Sequence, residues 1–181
     1  MITLITGNQH KADYLAKHLG QPIEHKKLEL DELQSLDLKV VVEHKVKQAY
    51  AALKKPVLVE DVALSFGALG KLPGPLIKWF LEELEPAGLC KLVDGYEDRS
   101  ATAEIYYALY DGQQINYFYG AVKGAIAPMP RGDFGFGWNN IFIPEGEIRT
   151  WGEIPDDELA PTTHRAEALS LLKKFLAVDF I

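Results

Sequence analysis

The chain has 181 residues and a single cysteine, Cys90. One thiol can close no internal disulfide and build no thiolate metal cluster, so a reducing setting, the cytoplasm, is expected. Long apolar runs are missing too. Nowhere do about 18 uninterrupted apolar residues occur, as a membrane-crossing helix needs, and Met1 is followed by neither a basic segment nor the long apolar core of a secretion signal. Positive charge is scarce: 19 Lys and Arg stand against 26 Asp and Glu, a formal charge of -7. That balance argues against partnership with nucleic acid or an anionic membrane, which need extended basic surfaces. An anionic small ligand must therefore meet a local cluster of lysines. The signatures GxSxG and HExxH and any cysteine-based zinc spacing are absent as well, and Cys90 falls in an amphipathic helical pattern without an obvious base.

What is present is 48% hydrophobic content, enough to bury one substantial core in one compact domain or two closely joined lobes. Met1 to Ile5 reads as a strand that ends at Thr6-Gly7-Asn8. A helix over His10 to His18 follows, carrying Tyr14, Leu15 and Leu19, with Gly20 placed to end it. Residues 23–30 alternate weakly as a second strand, and Glu43 to Leu53 reads as a helix with Val46, Tyr50 and Leu53 on one face. PVLVED is a buried strand. Pro73 opens a helix striped with Ile77, Phe80, Leu81 and Leu84, and Pro86 with Gly88 begins another short one. Ala101–Tyr110 and Gln114–Ala127 form a hairpin about Asp111-Gly112. Pro128–Trp138 is a glycine-rich loop, and Thr162–Leu176 is a helix with Ala168, Leu169, Leu172 and Phe175 facing inward. No repeat, low-complexity run or linker interrupts this order.

Four constellations bear chemistry. Thr6-Gly7-Asn8 with Lys11 offers a helix N-terminus, an accessible backbone and a cation one turn in, a combination that suits phosphate; it lacks the spacing GxxxxGK(S/T), and a capped turn with a solvated lysine is the alternative. Glu60-Asp61 follows a buried strand, where α/β sheets place ligands, and with Glu29, Asp31 and Glu32 offers oxygen donors that suit Mg²⁺. A solvated acidic turn is the other reading. In Arg131-Gly-Asp-Phe-Gly-Phe-Gly-Trp138 three glycines free the backbone while Phe134, Phe136 and Trp138 present faces for a base, or else pin a surface loop. Thr162-Thr163-His164-Arg165 sets two donors beside each other at a helix start, suited to an oxo group or else a simple threonine cap. Lys78 among apolar neighbours reads as a snorkelling side chain, and Lys45 as a solvated helix residue.

Taken in order, these motifs resemble the inosine triphosphate pyrophosphatase family, enzymes that clear deaminated purine nucleoside triphosphates. TGNQHK is similar to the family's TGNxxK, LVEDVALSFGALGKLPGPLIKWFLEEL closely matches its central block, and PRGDFGFGW with THR resembles its PRG...FGWD and SHR motifs. The resemblance spans nearly the whole chain and implies a single domain over residues 1–181. The implied fold is α/β, elongated and two-lobed, with a long twisted mixed sheet, flanking helices and a central cleft, assembled as a homodimer. The implied substrate is a nucleoside triphosphate such as ITP, XTP or dITP, hydrolysed with Mg²⁺, or Mn²⁺ in its place, to monophosphate and pyrophosphate. By the same resemblance Thr6, Gly7, Asn8, Lys11, Lys45 and Lys78 hold phosphates, and Glu32 binds the metal. Asp61 is the catalytic carboxylate, as proton acceptor or metal ligand. Phe136, Trp138, Asn139, His164 and Arg165 form the base pocket.

Three positions depart from the family pattern. Tyr14 stands where TGNxxKxxE has its acid, Asn139 replaces the aspartate of FGWD, and Leu159 replaces the lysine of EKN. The last two bear on which base is accepted. They leave open a pyrophosphatase of altered base preference, or a nucleotide-binding protein without catalysis, and raise the question whether Lys71 or Arg149 supplies the missing cation.

Overall fold

The computed structural model describes residues 2–20 and 23–179. In chain order the elements are β1 (Thr3–Ile5), α1 (Gln9–Leu19), β2 (Glu24–Lys26), α2 (Leu38–Leu53), β3 (Val57–Phe66), β4 (Pro73–Gly74) and α3 (Ile77–Lys91). They continue as β5 (Ser100–Tyr110), β6 (Ile115–Ile126), β7 (Phe142–Pro144), α4 (Asp156–Leu159) and α5 (His164–Asp179). The strands form one mixed seven-stranded sheet in the order β2-β1-β3-β5-β6-β7, with β4 paired to β3. β1 runs parallel to both neighbours, Ile5 facing Lys26 on one side and Val59 on the other. The α/β expectation and the strand–turn–helix opening are both met. Gly20 ends α1 in the left-handed conformation at φ 70°.

Boundaries moved where tertiary partners decided them. β2 covers three residues, because its partner β1 ends at Ile5 and leaves nothing for a longer strand to pair with. α2 starts five residues before Glu43. Asp37 caps it, its carboxylate accepting from the amides of Lys39 and Val40 at 2.9 and 3.3 Å, and burial of Val42 and Val46 outweighs the poor helix propensity of Val40–Val42. Pro73 does not open α3; it pairs with Ser65 as part of β4. α3 breaks at Glu85, whose backbone is non-helical at φ 55° and ψ 172°, because a residue before proline is pushed out of the helical region. Pro86 thus begins a second helical segment, as expected. The hairpin turn is held by the Asp111 carboxylate, which accepts from the amides of Gln113 and Gln114. At the last helix the threonines do not cap. Thr162 and Thr163 donate their hydroxyls back to the carbonyls of Leu159 and Ala160, and α5 begins at His164.

The chain separates into two compact units, one of residues 1–61, 105–120 and 167–181, the other of 62–104 and 121–166. Their boundary falls within β3, β5, β6 and α5. The first unit buries Ile5, Val42, Val46, Ala49, Val57, Val59 and Ala108 together; on α5 Ala168, Leu169 and Leu172 are buried and Phe175 packs on Phe118. The second unit's core runs from Leu64 and Phe66 through Ile77, Leu89 and Cys90 to Trp138, Phe142, Trp151 and Leu159. Among the described residues no helix is long and apolar enough to cross a membrane.

Leu15 is fully buried beneath α1, so Leu15→Ala should destabilise the protein by about 2–5 kcal/mol. Ile148→Ala, at an exposed position, should stay within about 0.5 kcal/mol of the parent; urea unfolding of both variants checks the contrast.

Candidate active site

In the first unit the register of β1 and β3 sets up the chemistry. Ile5 pairs with Val59, so as β1 ends and turns at Thr6-Gly7-Asn8, the next two residues of β3 are Glu60 and Asp61. These acids do not follow the strand or form a turn, as their sequence suggests, but lie inside β3, which runs on to Phe66 because Leu64 and Ser65 pair with β4. The turn is closed by its own polar groups: the Asn8 amide donates to the Thr6 hydroxyl at 3.0 Å, and the Asn8 side chain accepts from the Lys11 amide at 3.4 Å. Asn8 is therefore the N-cap of α1. Lys11, however, is no solvated lysine. Its Nζ lies 3.3 Å from Oε1 of Glu60, a carboxylate only 2% exposed.

Lys45 reaches in from α2 and places Nζ 3.0 Å from Oδ2 of Asp61. Burial works to lower the pKa of this ammonium, but the carboxylates of Asp61, Glu32 and Glu60 outweigh it and hold the group above its ordinary value. Lys45 accordingly stays charged through the whole neutral range. Five expected or candidate residues, Lys11, Glu32, Lys45, Glu60 and Asp61, thus share one electrostatic neighbourhood. Glu60 carries more weight there than the motif alone indicated. Its signal was a charged residue directly continuing the apolar run Val57-Leu58-Val59.

The second unit holds the remaining expected residues. Its glycine loop is fastened to a neighbouring segment by the Arg131 amide donating to the Asn140 carbonyl, the Thr150 hydroxyl donating to the Arg131 carbonyl, and the Phe134 amide donating to the Gly152 carbonyl, at 2.8, 2.6 and 2.9 Å. At Gly132, with φ 79°, a Cβ would fall 2.0 Å from the Gly152 carbonyl oxygen; only glycine permits that approach.

Trp138 is buried, its ring packed against Phe142, Trp151 and His164, so Phe134 and Phe136 are the loop aromatics with the more open faces. His164 stacks on Trp151 as well, with centroids 5.3 Å apart and planes at 21°. Sequence patterns gave no sign of Trp151, an isolated aromatic with no periodicity around it. The Arg165 guanidinium lies over the Phe136 ring at 5.4 Å and donates to His164 Nε2 at 3.2 Å. Guanidinium can only donate, so that bond makes Nε2 the acceptor and places the ring proton on Nδ1. Asn139 is partly exposed beside Gly135, its amide nitrogen filling the space a Cβ would take there. Leu159 lies in the hydrophobic core. Arg149, one of the two cations raised above as a substitute for the missing lysine, pairs with Glu147 and Glu158. Lys78 lies on α3 with Nζ 4.7 Å above the Trp79 ring.

A family model described as the Ham1 family matches residues 2–175. The chain is 41% identical to inosine triphosphate pyrophosphatase 2 of Trypanosoma cruzi over 95% of its own length and 90% of that protein's. It is also 41% identical to inosine triphosphate pyrophosphatase of Yarrowia lipolytica, over 97% and 95%. Among solved structures it is similar to the Staphylococcus aureus Ham1 protein, with a TM-score of 0.80, 22% identity and 98% of each chain covered. A nucleoside-triphosphatase, dITP/XTP pyrophosphatase, of Mycobacterium abscessus superposes with a TM-score of 0.76 at 24% identity, over 95% and 98% of the two chains. With its ordered motifs, its fold and nearly its full length matched, the chain belongs to the Ham1 family.

Proposed function

We propose that this protein is a divalent-metal-dependent nucleoside triphosphate pyrophosphatase that acts on 6-oxo purine nucleotides such as ITP, dITP and XTP, working in the cytoplasm as a homodimer. The observation that carries the reading is the pair of ion pairs Lys11–Glu60 and Lys45–Asp61, set where β1 ends and the middle of β3 passes the start of α1. Amides of Thr6, Gly7 and Asn8 with Lys11 and Lys45 would take the polyphosphate, drawn by Coulomb attraction that strengthens where water is partly excluded.

The donor set fits a hard cation. Glu32 and Asp61 both offer carboxylate oxygens to the neighbourhood of Lys45, and Mg²⁺ is commonly held by one or two carboxylates with the rest of its shell from phosphate and water. Among the described residues no three His, Cys, Asp or Glu side chains gather tightly enough to cage an ion alone. Glu32 and Asp61 would hold it together with the substrate, and the bound ion would offset phosphate charge and make a water more acidic. Asp61 accepts the proton of the attacking water. The new bond forms to the α-phosphorus, the α–β anhydride breaks, and pyrophosphate leaves from the monophosphate.

At the base, His164 and Arg165 would donate to the 6-oxo group that separates hypoxanthine from adenine. Asn139 can both donate and accept, unlike the carboxylate it replaces, so it tolerates more than one base edge. Leu159, standing where the family pattern has a lysine, would leave that pocket one cation short.

With Mg²⁺ or Mn²⁺ at mildly alkaline pH, pyrophosphate should appear from ITP, dITP and XTP faster than from ATP, GTP, CTP and UTP. Release from none of them refutes the proposal. Asp61→Asn should reduce kcat roughly 10²–10⁴-fold with the fold intact by circular dichroism, the loss typical of a general base; a near-normal rate removes that role. Asn139→Asp should change the ratio of kcat/KM between ITP and ATP by about tenfold or more, since a buried polar mismatch discriminates strongly between bases. An unchanged ratio would show that Asn139 does not read the base.

A further inference from the structure

One lysine that neither the motifs nor the family resemblance singled out lies directly over the phosphate turn. After β2 the chain stays beside that turn, with the Thr6 amide donating to the Lys26 carbonyl at 3.1 Å. The next residue, Lys27, lays its aliphatic stem across Gly7, so that a Cβ on Gly7 would sit 3.2 Å from both Cγ and Cδ and 3.4 Å from Cε. A side chain at Gly7 would press on that stem and shift it by a few tenths of an ångström. The side chain is exposed.

The charges around it are unevenly spent. Lys11 is tied to Glu60 and Lys45 to Asp61, so each brings its own counter-charge into the neighbourhood. Among the described residues Lys27 makes no ion pair. It also sits at the positive end of α1, whose first turn carries no acid to balance it. A cation beside a helix N-terminus is unfavourable by itself, and an anion bound between the two relieves the conflict.

We propose that Lys27 is a further polyphosphate-binding residue of this site, its stem aligned by Gly7 and its ammonium supplying positive charge that the two carboxylate-paired lysines do not. The proposal rests on the pyrophosphatase reading and extends it to a residue outside the family motifs. Lys27 contributes attraction for the charged end of the substrate, and no step of the chemistry passes through it. Its loss therefore falls on binding.

Magnesium with inorganic tripolyphosphate, which carries no base or sugar, is the direct probe. By calorimetry Lys27→Met, which keeps the stem over Gly7, should bind it roughly five- to tenfold more weakly than the parent, the range for one charge-assisted contact. Lys27→Arg should restore most of the affinity, and the difference should shrink as NaCl is raised. With ITP the defect should appear in KM rather than in kcat. If Lys27→Met matches the parent while Lys11→Met and Lys45→Met lose affinity, the role of Lys27 is refuted and the phosphate site stands. Should Lys27→Ala fail while Lys27→Met is normal, the stem serves packing alone and the proposal falls. A parent protein that neither binds tripolyphosphate nor releases pyrophosphate from any nucleotide overturns the underlying reading, and the role of Lys27 with it.

Discussion

The burial of Glu60 organises the first unit. A carboxylate almost withdrawn from water loses several kcal/mol of hydration unless opposite charge and hydrogen bonds replace it, and here Lys11 comes from the next helix to meet it. That requirement links the middle of β3 to the first turn of α1 across the parallel pairing with β1. Asp61, one residue on, falls to the other cation, Lys45. Two consecutive acids of one strand are thereby served by lysines from two different helices. The arrangement holds fixed charges in place before any ligand arrives, which is what a site for a highly charged substrate needs.

In the second unit aromatic packing does the corresponding work. Trp138, Trp151 and His164 lie in mutual contact, with centroids 5.3 to 5.7 Å apart, so the imidazole is oriented by two indoles on elements far apart in the chain. Arg165 completes the set by bonding its neighbour's ring and covering Phe136. The glycine loop is stitched down by backbone hydrogen bonds, and its glycines serve close approach of chain to chain. A loop so fastened presents Phe136 and Asn139 from a rigid support.

Much of the fold could be read from periodicity and turn chemistry: the strand that yields to a helix at Thr6-Gly7-Asn8, the stop at Gly20, the hairpin about Asp111 and the break at Pro86. Local pattern failed where a distant partner set the outcome. Pro73 has the composition of a helix start yet pairs with Ser65, and the β-branched run at Val40 hid the first turn of α2 behind a cap and a core. The candidate site was legible through its ordered motifs, while its internal pairing was not. Nothing in LVED tells which lysine answers which acid, and the approach of Lys27 to Gly7 depends on a sheet register that no short motif encodes.

The burial of Leu159 also limits what can take its place. A leucine wedged among tryptophans and aliphatic chains cannot be exchanged for an amine without stranding a charge in oil or prising the interior apart.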